Sequence, residues 1–133
     1  MNAQTKQMVR ERAGNRCEYC RLQQQHEPLV RFHIEHVIAR QHEGGDEPGN
    51  LALACFNCNV HKGTNLAGID PDSNQLERLF NPRLDDWEIH FDRNDAWIVG
   101  KTAIGRTTVW LLEMNSDERV ELRQELSDDG KHL

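Results

Sequence analysis

The sequence predicts an α+β fold: a strand–loop–strand–helix unit stapled by its own cysteines, a short helix before it, and a hairpin with helices after it. Three observations carry this reading. Cys17-Glu-Tyr-Cys20 and Cys55-Phe-Asn-Cys58 are two Cys-x-x-Cys pairs, set far enough apart that the chain between them must fold. Between the pairs, LVRFHIEHVI alternates apolar and polar residues as a half-buried strand does, and Leu51-Ala-Leu-Ala54 returns as a second short strand. The second pair then opens a helix that runs to about Lys62-Gly63.

The elements follow in order. AQTKQMVRERA (3–13) reads as a polar helix stopped by Gly14-Asn15. Residues 21–28 form a loop. In the first strand Phe32 and Ile34 face a core, while His33 and Glu35 share the other face and His36 falls at the strand's end. RQHEGGDEPG is dense in turn formers and predicts an exposed loop. Farther on, Asp70-Pro-Asp-Ser73 marks a turn, and 75–80 reads as a helical turn ended by Asn81-Pro82. Residues 87–91 and 96–99 alternate about Asp92-Arg-Asn-Asp95 and predict a hairpin. Residues 103–114 read as a helix despite Gly105, and Ser116 caps a last helix over 117–127 before a frayed SDDGKHL. Trp87, Trp97 and Trp110 recur as packing residues do. The expected organisation is a front unit, 1–66, with 67–133 packed on it as one domain.

At 133 residues the chain is long enough for a core but short enough to gain from a metal staple. No apolar run approaches a membrane span, and the N-terminus lacks the apolar region of a signal peptide, so a cytoplasmic setting is expected. There, paired Cys-x-x-Cys motifs read as metal ligands rather than disulfides. Cys17, Cys20, Cys55 and Cys58 suit one closed tetrahedral zinc site, although their spacing also admits a rubredoxin-like iron. The net charge of −6 argues at first against nucleic acid. It is unevenly placed, however. Residues 1–66 hold eight Lys/Arg against seven Asp/Glu and five of the seven histidines, so the acidity lies in the second half.

Glu35 and His36 sit side by side on a strand flanked by apolar residues, and Asn59 follows directly on a cysteine. Glu35 and Asn59 supply hard oxygen donors that suit Mg²⁺ or Mn²⁺. A neutral His36 can take a proton from a water aimed at phosphorus. His33-Ile-Glu-His36 has the wrong order for a zinc-peptidase helix. Four cysteines also close zinc to any substrate, which disfavours a zinc-only hydrolase.

The string HIEHVIAR…GGDEPGNLALACFNCNVHKG resembles the HNH endonucleases, specifically the zinc-bound bacterial and phage type with a ββα-metal (His-Me finger) core. The resemblance covers residues 17–63, and the tail LFNPRLDDWEIHF…IVGKTAIGRTTVWLLEMN is similar to that of small stand-alone HNH proteins. It implies that His36 is the general base and that Glu35, often Asp in relatives, and Asn59 hold the catalytic ion. It implies further that Asn50 holds the loop so that His36 points inward. Lys62 takes a phosphate-contacting position. So does His61, which departs from the Arg frequent there. DNA is the implied substrate, nicked to leave 5′-phosphate and 3′-hydroxyl ends. A zinc-stapled module that binds nucleic acid or protein without chemistry is the alternative. The acidic second half would then dock another subunit or a second copy. His33 and His42 read as supporting or solvated residues. Arg83, His90 and Arg106 would either extend a DNA-facing surface or pack against carboxylates.

Overall fold

The computed structural model describes residues 1–130. Helix α1 (Ala3–Ala13) starts on Asn2, whose side-chain oxygen accepts from the Thr5 N–H at 2.8 Å, and stops at Gly14 in the left-handed region, φ 65°. Only Val9 of this helix is buried. Polar ties replace the missing apolar face: Arg10 donates to the Phe32 carbonyl at 2.9 Å and Arg12 to the Leu51 carbonyl at 2.7 Å. Strands β1 (His33–His36) and β2 (Leu51–Ala54) pair antiparallel, with His36 opposite Leu51 and His33 opposite Ala54. Helix α2 (Phe56–Lys62) begins at Cys55, whose sulfur accepts from the Cys58 N–H at 3.4 Å. With α1 and α2 both packed on it, all four residues of β2 are buried, which is why that strand is purely Leu and Ala. The fold is α+β, with a ββα unit at its front.

The loop joining β1 to β2 folds back on itself around Asn50. The Asn50 amide donates to the Ile38 and Gly45 carbonyls, both at 2.9 Å, and its oxygen accepts from the Ile38 N–H at 2.8 Å. Gly44 is required beside it, because a Cβ there would lie 1.7 Å from the Ile38 oxygen. Replacing Asn50 by Ala strands three backbone groups and is expected to cost about 1–3 kcal/mol. Urea unfolding checks this, and an unchanged midpoint would show that water replaces the amide.

The second half departs from expectation in two places. Residues 75–80 were expected to be helical, but β4 (Leu76–Arg78) pairs with β3 (Ala67–Ile69). Asp70 decides this. Its carboxylate accepts from the Asp72 N–H and the Ser73 hydroxyl, closing the turn, and Arg106 clamps it with two bonds at 2.8 and 3.0 Å. The expected 87–99 hairpin is also displaced. Trp87–His90 forms one helical turn, α3, and the hairpin is β5 (Phe91–Asn94) with β6 (Trp97–Gly100). Here i,i+4 packing of Trp87 on Phe91 (ring centroids 5.1 Å apart), with the indole N–H on the Tyr19 carbonyl, outweighs strand alternation.

Helix α4 (Ala103–Leu111) tolerates Gly105 because the helix meets backbone there; a Cβ would lie 2.0 Å from the His90 oxygen. Helix α5 (Asp117–Asp128) starts on Ser116. Of the 127–133 segment expected to fray, Ser127 and Asp128 belong to α5, and Lys131, His132 and Leu133 lie outside the described residues. Of the three tryptophans only Trp87 is core. Trp97 and Trp110 are 51% and 68% exposed, on the outward sides of β6 and α4. One apolar cluster runs from Val9 through the cysteines and β2 to Phe91, Leu112 and Leu126. Among the described residues no helix is long and apolar enough to cross a membrane.

Candidate active site and metal centre

All four cysteines are buried and free, and their sulfurs lie within 4.8 Å of one another. Cys20 Sγ and Cys55 Sγ are 3.7 Å apart, close to the edge of a tetrahedron with Zn–S bonds of about 2.3 Å. The donor set fits a structural zinc. N–H groups of Cys20 and Cys58 point at the Cys17 and Cys55 sulfurs, as they do in metal knuckles. From α5, Arg119 places a guanidinium nitrogen 3.6 Å from Cys55 Sγ and pairs with Glu27 at 2.6 Å, so it offsets thiolate charge. Nothing in the local sequence around Arg119 signals this.

Glu35 and Lys62 are placed differently from expectation. Glu35 is 6% exposed and Lys62 is 2% exposed. The Tyr19 hydroxyl donates to Glu35 Oε1, and Lys62 Nζ pairs with Glu35 Oε2 at 3.2 Å. Lys62 also donates to the Val37 carbonyl at 3.0 Å and the His36 carbonyl at 3.3 Å. An ammonium has three donors, and all three are used inside the protein, so none is left for a substrate phosphate. Burial pushes the Glu35 carboxyl above its usual range against the pull of Lys62. Burial, reinforced by the Glu35 charge, also drives the Tyr19 phenol far up, so the hydroxyl keeps its proton and donates.

This arrangement does not fit the expected Mg²⁺- or Mn²⁺-type ion on Glu35 and Asn59. A lysine ammonium already sits on one carboxylate oxygen, and a tyrosine hydroxyl occupies the other. Asn59 lies half-buried one turn into α2. Among the described residues its side chain makes no hydrogen bond.

His36 stands at the end of β1 with its side chain turned to the loop. Its Nε2 is 2.7 Å from Asp46 Oδ1. Arg40 donates to both oxygens of Asp46, at 2.7 and 2.9 Å. The His36 hydrogen bond, with Arg40 beside it, holds the Asp46 carboxyl below its usual range. An ionised carboxylate only accepts, so Nε2 carries a proton, and in the neutral ring Nδ1 then keeps its lone pair. Sequence reasoning passed over Asp46. Its signal was its place just after Gly44-Gly45, where the loop can bring it back to the strand end.

The remaining candidates lie apart from this pair. His61 Nδ1 donates to the Asn57 carbonyl at 2.8 Å and Nε2 lies 2.9 Å from Glu113, so its ring faces the second half of the chain rather than open surface. His33 is exposed beside the Phe56 ring, and His42 lies 3.1 Å from the Thr64 carbonyl. Arg83 pairs with Glu18 and Arg106 with Asp70, while His90 bonds the Thr102 hydroxyl at 2.7 Å.

Compared with known families, residues 17–65 match the model described as HNH endonuclease. Neither curated proteins nor solved structures gave a match. The matched stretch takes in both cysteine pairs, β1, β2, α2, Asn50 and the His36–Asp46 pair, and it ends before β3. The segment from Cys17 to Asn65, a ββα unit whose four cysteines fit one zinc site, is therefore similar to the HNH endonuclease family.

Proposed function

We propose that the chain is an endonuclease that hydrolyses DNA phosphodiester bonds, with His36 as the general base. The observation that supports this best is the His36–Asp46 hydrogen bond of 2.7 Å, which orients the ring and leaves Nδ1 free. Nδ1 takes a proton from water as the water oxygen bonds to phosphorus; the bond to the leaving sugar oxygen breaks, and that oxygen takes a proton from solvent. Asp46 steadies the imidazolium that results. Arg40, 67% exposed next to this pair, has guanidinium donors to spare for the phosphate, which is the role expected of Lys62. Asn50 keeps the loop, and so Asp46, in place, and Asn59 offers an amide from α2.

The test is nicking of supercoiled plasmid with Mg²⁺ or Mn²⁺ supplied. His36→Ala is expected to lower the rate by about 10²–10⁴-fold. Equal nicking by both proteins would remove His36 from the reaction.

One observation favours a second reading, a zinc-stapled nucleic-acid- or protein-binding module without chemistry. Glu35, the carboxylate that the resemblance assigns to the metal, is paired with Lys62 here. That reading expects no nicking with either ion, and DNA binding indifferent to His36→Ala.

A further inference from the structure

Between the C-terminal end of α1 and the first cysteine knuckle lies a small polar cavity of about 120 Å³, with Arg12, Arg16 and Arg21 on its wall. We propose that this cavity binds one phosphate group of a nucleic-acid backbone, and so anchors the DNA that the nuclease reading requires.

The charge balance carries the argument. Two carboxylates also line the cavity, Glu18 and Asp85, but both are spent elsewhere. Glu18 accepts from Arg83 through one oxygen and from the Leu53 N–H, at 2.8 Å, through the other. Asp85 takes two bonds from Arg78, at 2.8 and 3.0 Å, and one from the Asn81 N–H. None of the three wall arginines donates a hydrogen bond to a carboxylate among the described residues. Arg12 donates only to neutral carbonyls, of Pro48 and Leu51. Arg16 has no side-chain hydrogen bond or ion pair among the described residues. The Arg21 guanidinium carbon lies over the Trp87 ring, 5.1 Å from its centre, and its one carboxylate partner among the described residues is the exposed Glu88 at 3.9 Å.

Two further features agree. Arg21 holds a left-handed backbone, φ 71°, a conformation that favours glycine, and so presents its side chain from a strained position. Burial lowers the pKa of Arg12, and the nearby Arg83 adds to the shift against the pull of Glu18, so cations crowd here.

An anion relieves that crowding, and guanidinium groups match phosphate oxygens in geometry as well as charge. The volume is below the roughly 300–1,000 Å³ that encloses a whole small-molecule ligand, so a single group projecting from a larger chain suits it. Arg12 joins the cavity to the reacting end, since it holds the carbonyl of Leu51, the residue paired across the ladder with His36.

The experiment measures binding of a labelled DNA duplex by anisotropy across a salt series, using the full zinc-loaded chain carrying His36→Ala so that nothing is cut. Adding Arg16→Ala or Arg21→Ala is expected to weaken binding roughly tenfold and to flatten the slope of log K against log salt by about 0.9. Arg16 is unpartnered, so its truncation leaves the fold intact, and circular dichroism with zinc content verifies that. Lys101→Ala, the same charge change on the other half of the chain, is the control and is expected to leave the slope alone. In a parallel arm, inorganic phosphate is titrated against thermal melting.

Wild-type slopes in both arginine variants overturn the proposal while leaving the nuclease reading standing. An Arg16-dependent phosphate shift with unchanged DNA affinity makes the cavity a free-phosphate site and also overturns it. A parent protein that binds no DNA removes both the proposal and the reading beneath it.

Discussion

Stripping zinc from Cys17, Cys20, Cys55 and Cys58 is expected to unfold the front of the molecule rather than merely silence it. The four sulfurs sit in the middle of the apolar cluster, at 0–2% exposure, with no water to stabilise them once the ion is gone. Zinc held by cysteines contributes about 10–16 kcal/mol of apparent binding energy at neutral pH, and the same energy is folding energy. A domain of this size has only about 5–15 kcal/mol of net stability. Loss of the ion therefore removes free energy comparable to the whole net stability of the fold. The damage spreads along named contacts. Tyr19, inside the first knuckle, holds Glu35 through its hydroxyl and Trp87 through its carbonyl, and Cys55 is both the cap of α2 and the partner of Arg119. Chelation followed by circular dichroism and amide exchange measures this, with recovery on added zinc. Cys55→Ser is expected to behave like the chelated protein. A chelated chain that still melts cooperatively at its original temperature would show that the cysteines are not structural.

Glu35→Ala is expected to destabilise the zinc-loaded protein by about 3–5 kcal/mol, because it leaves the Lys62 ammonium buried without its counter-charge. Lys62→Met should cost a similar amount and also release the His36 and Val37 carbonyls, loosening the strand end that aims the imidazole. The double variant Glu35→Ala/Lys62→Met is expected to recover much of the loss, since removing both partners leaves no orphaned charge. Urea titrations of the four proteins give the coupling directly. A Glu35→Ala protein of unchanged stability that has lost ion-dependent nicking would restore Glu35 to the metal and make the pair with Lys62 incidental.

How far the sequence reaches can be judged residue by residue. The cysteine spacing, the turn-rich loop, the cap at Ser116 and the glycine stop of α1 are local signals, each needing only neighbours within a few residues. They placed α1, β2, α2 and α5 correctly. The two misplaced segments, 75–80 and 87–99, are short stretches that suit either period. There a distant group decides: Arg106 on Asp70 in one case, Tyr19 under Trp87 in the other. Trp97 and Trp110 show the same limit, since alternation says which residues share a side but not which side meets a neighbour.

In the site itself, the motif residues were readable as a set, but their partners were not. The likeness to the HNH model, the α+β class and the four-cysteine cluster were legible along the chain, because residue type and interval are written there. Which charge meets which is a property of the folded interior. Lys62 reads as a surface cation at a helix end, yet α2 lies over β1 and turns it inward onto Glu35. Asp46 reads as a loop acid, yet the backbone turn at Gly44 returns it to His36. Arg119 is many residues from the cysteines and still reaches Cys55. Chemical type and interval belong to the sequence. Burial and pairing, which decide whether a carboxylate binds metal, orients a base or locks a helix, arise only when distant segments exclude water together.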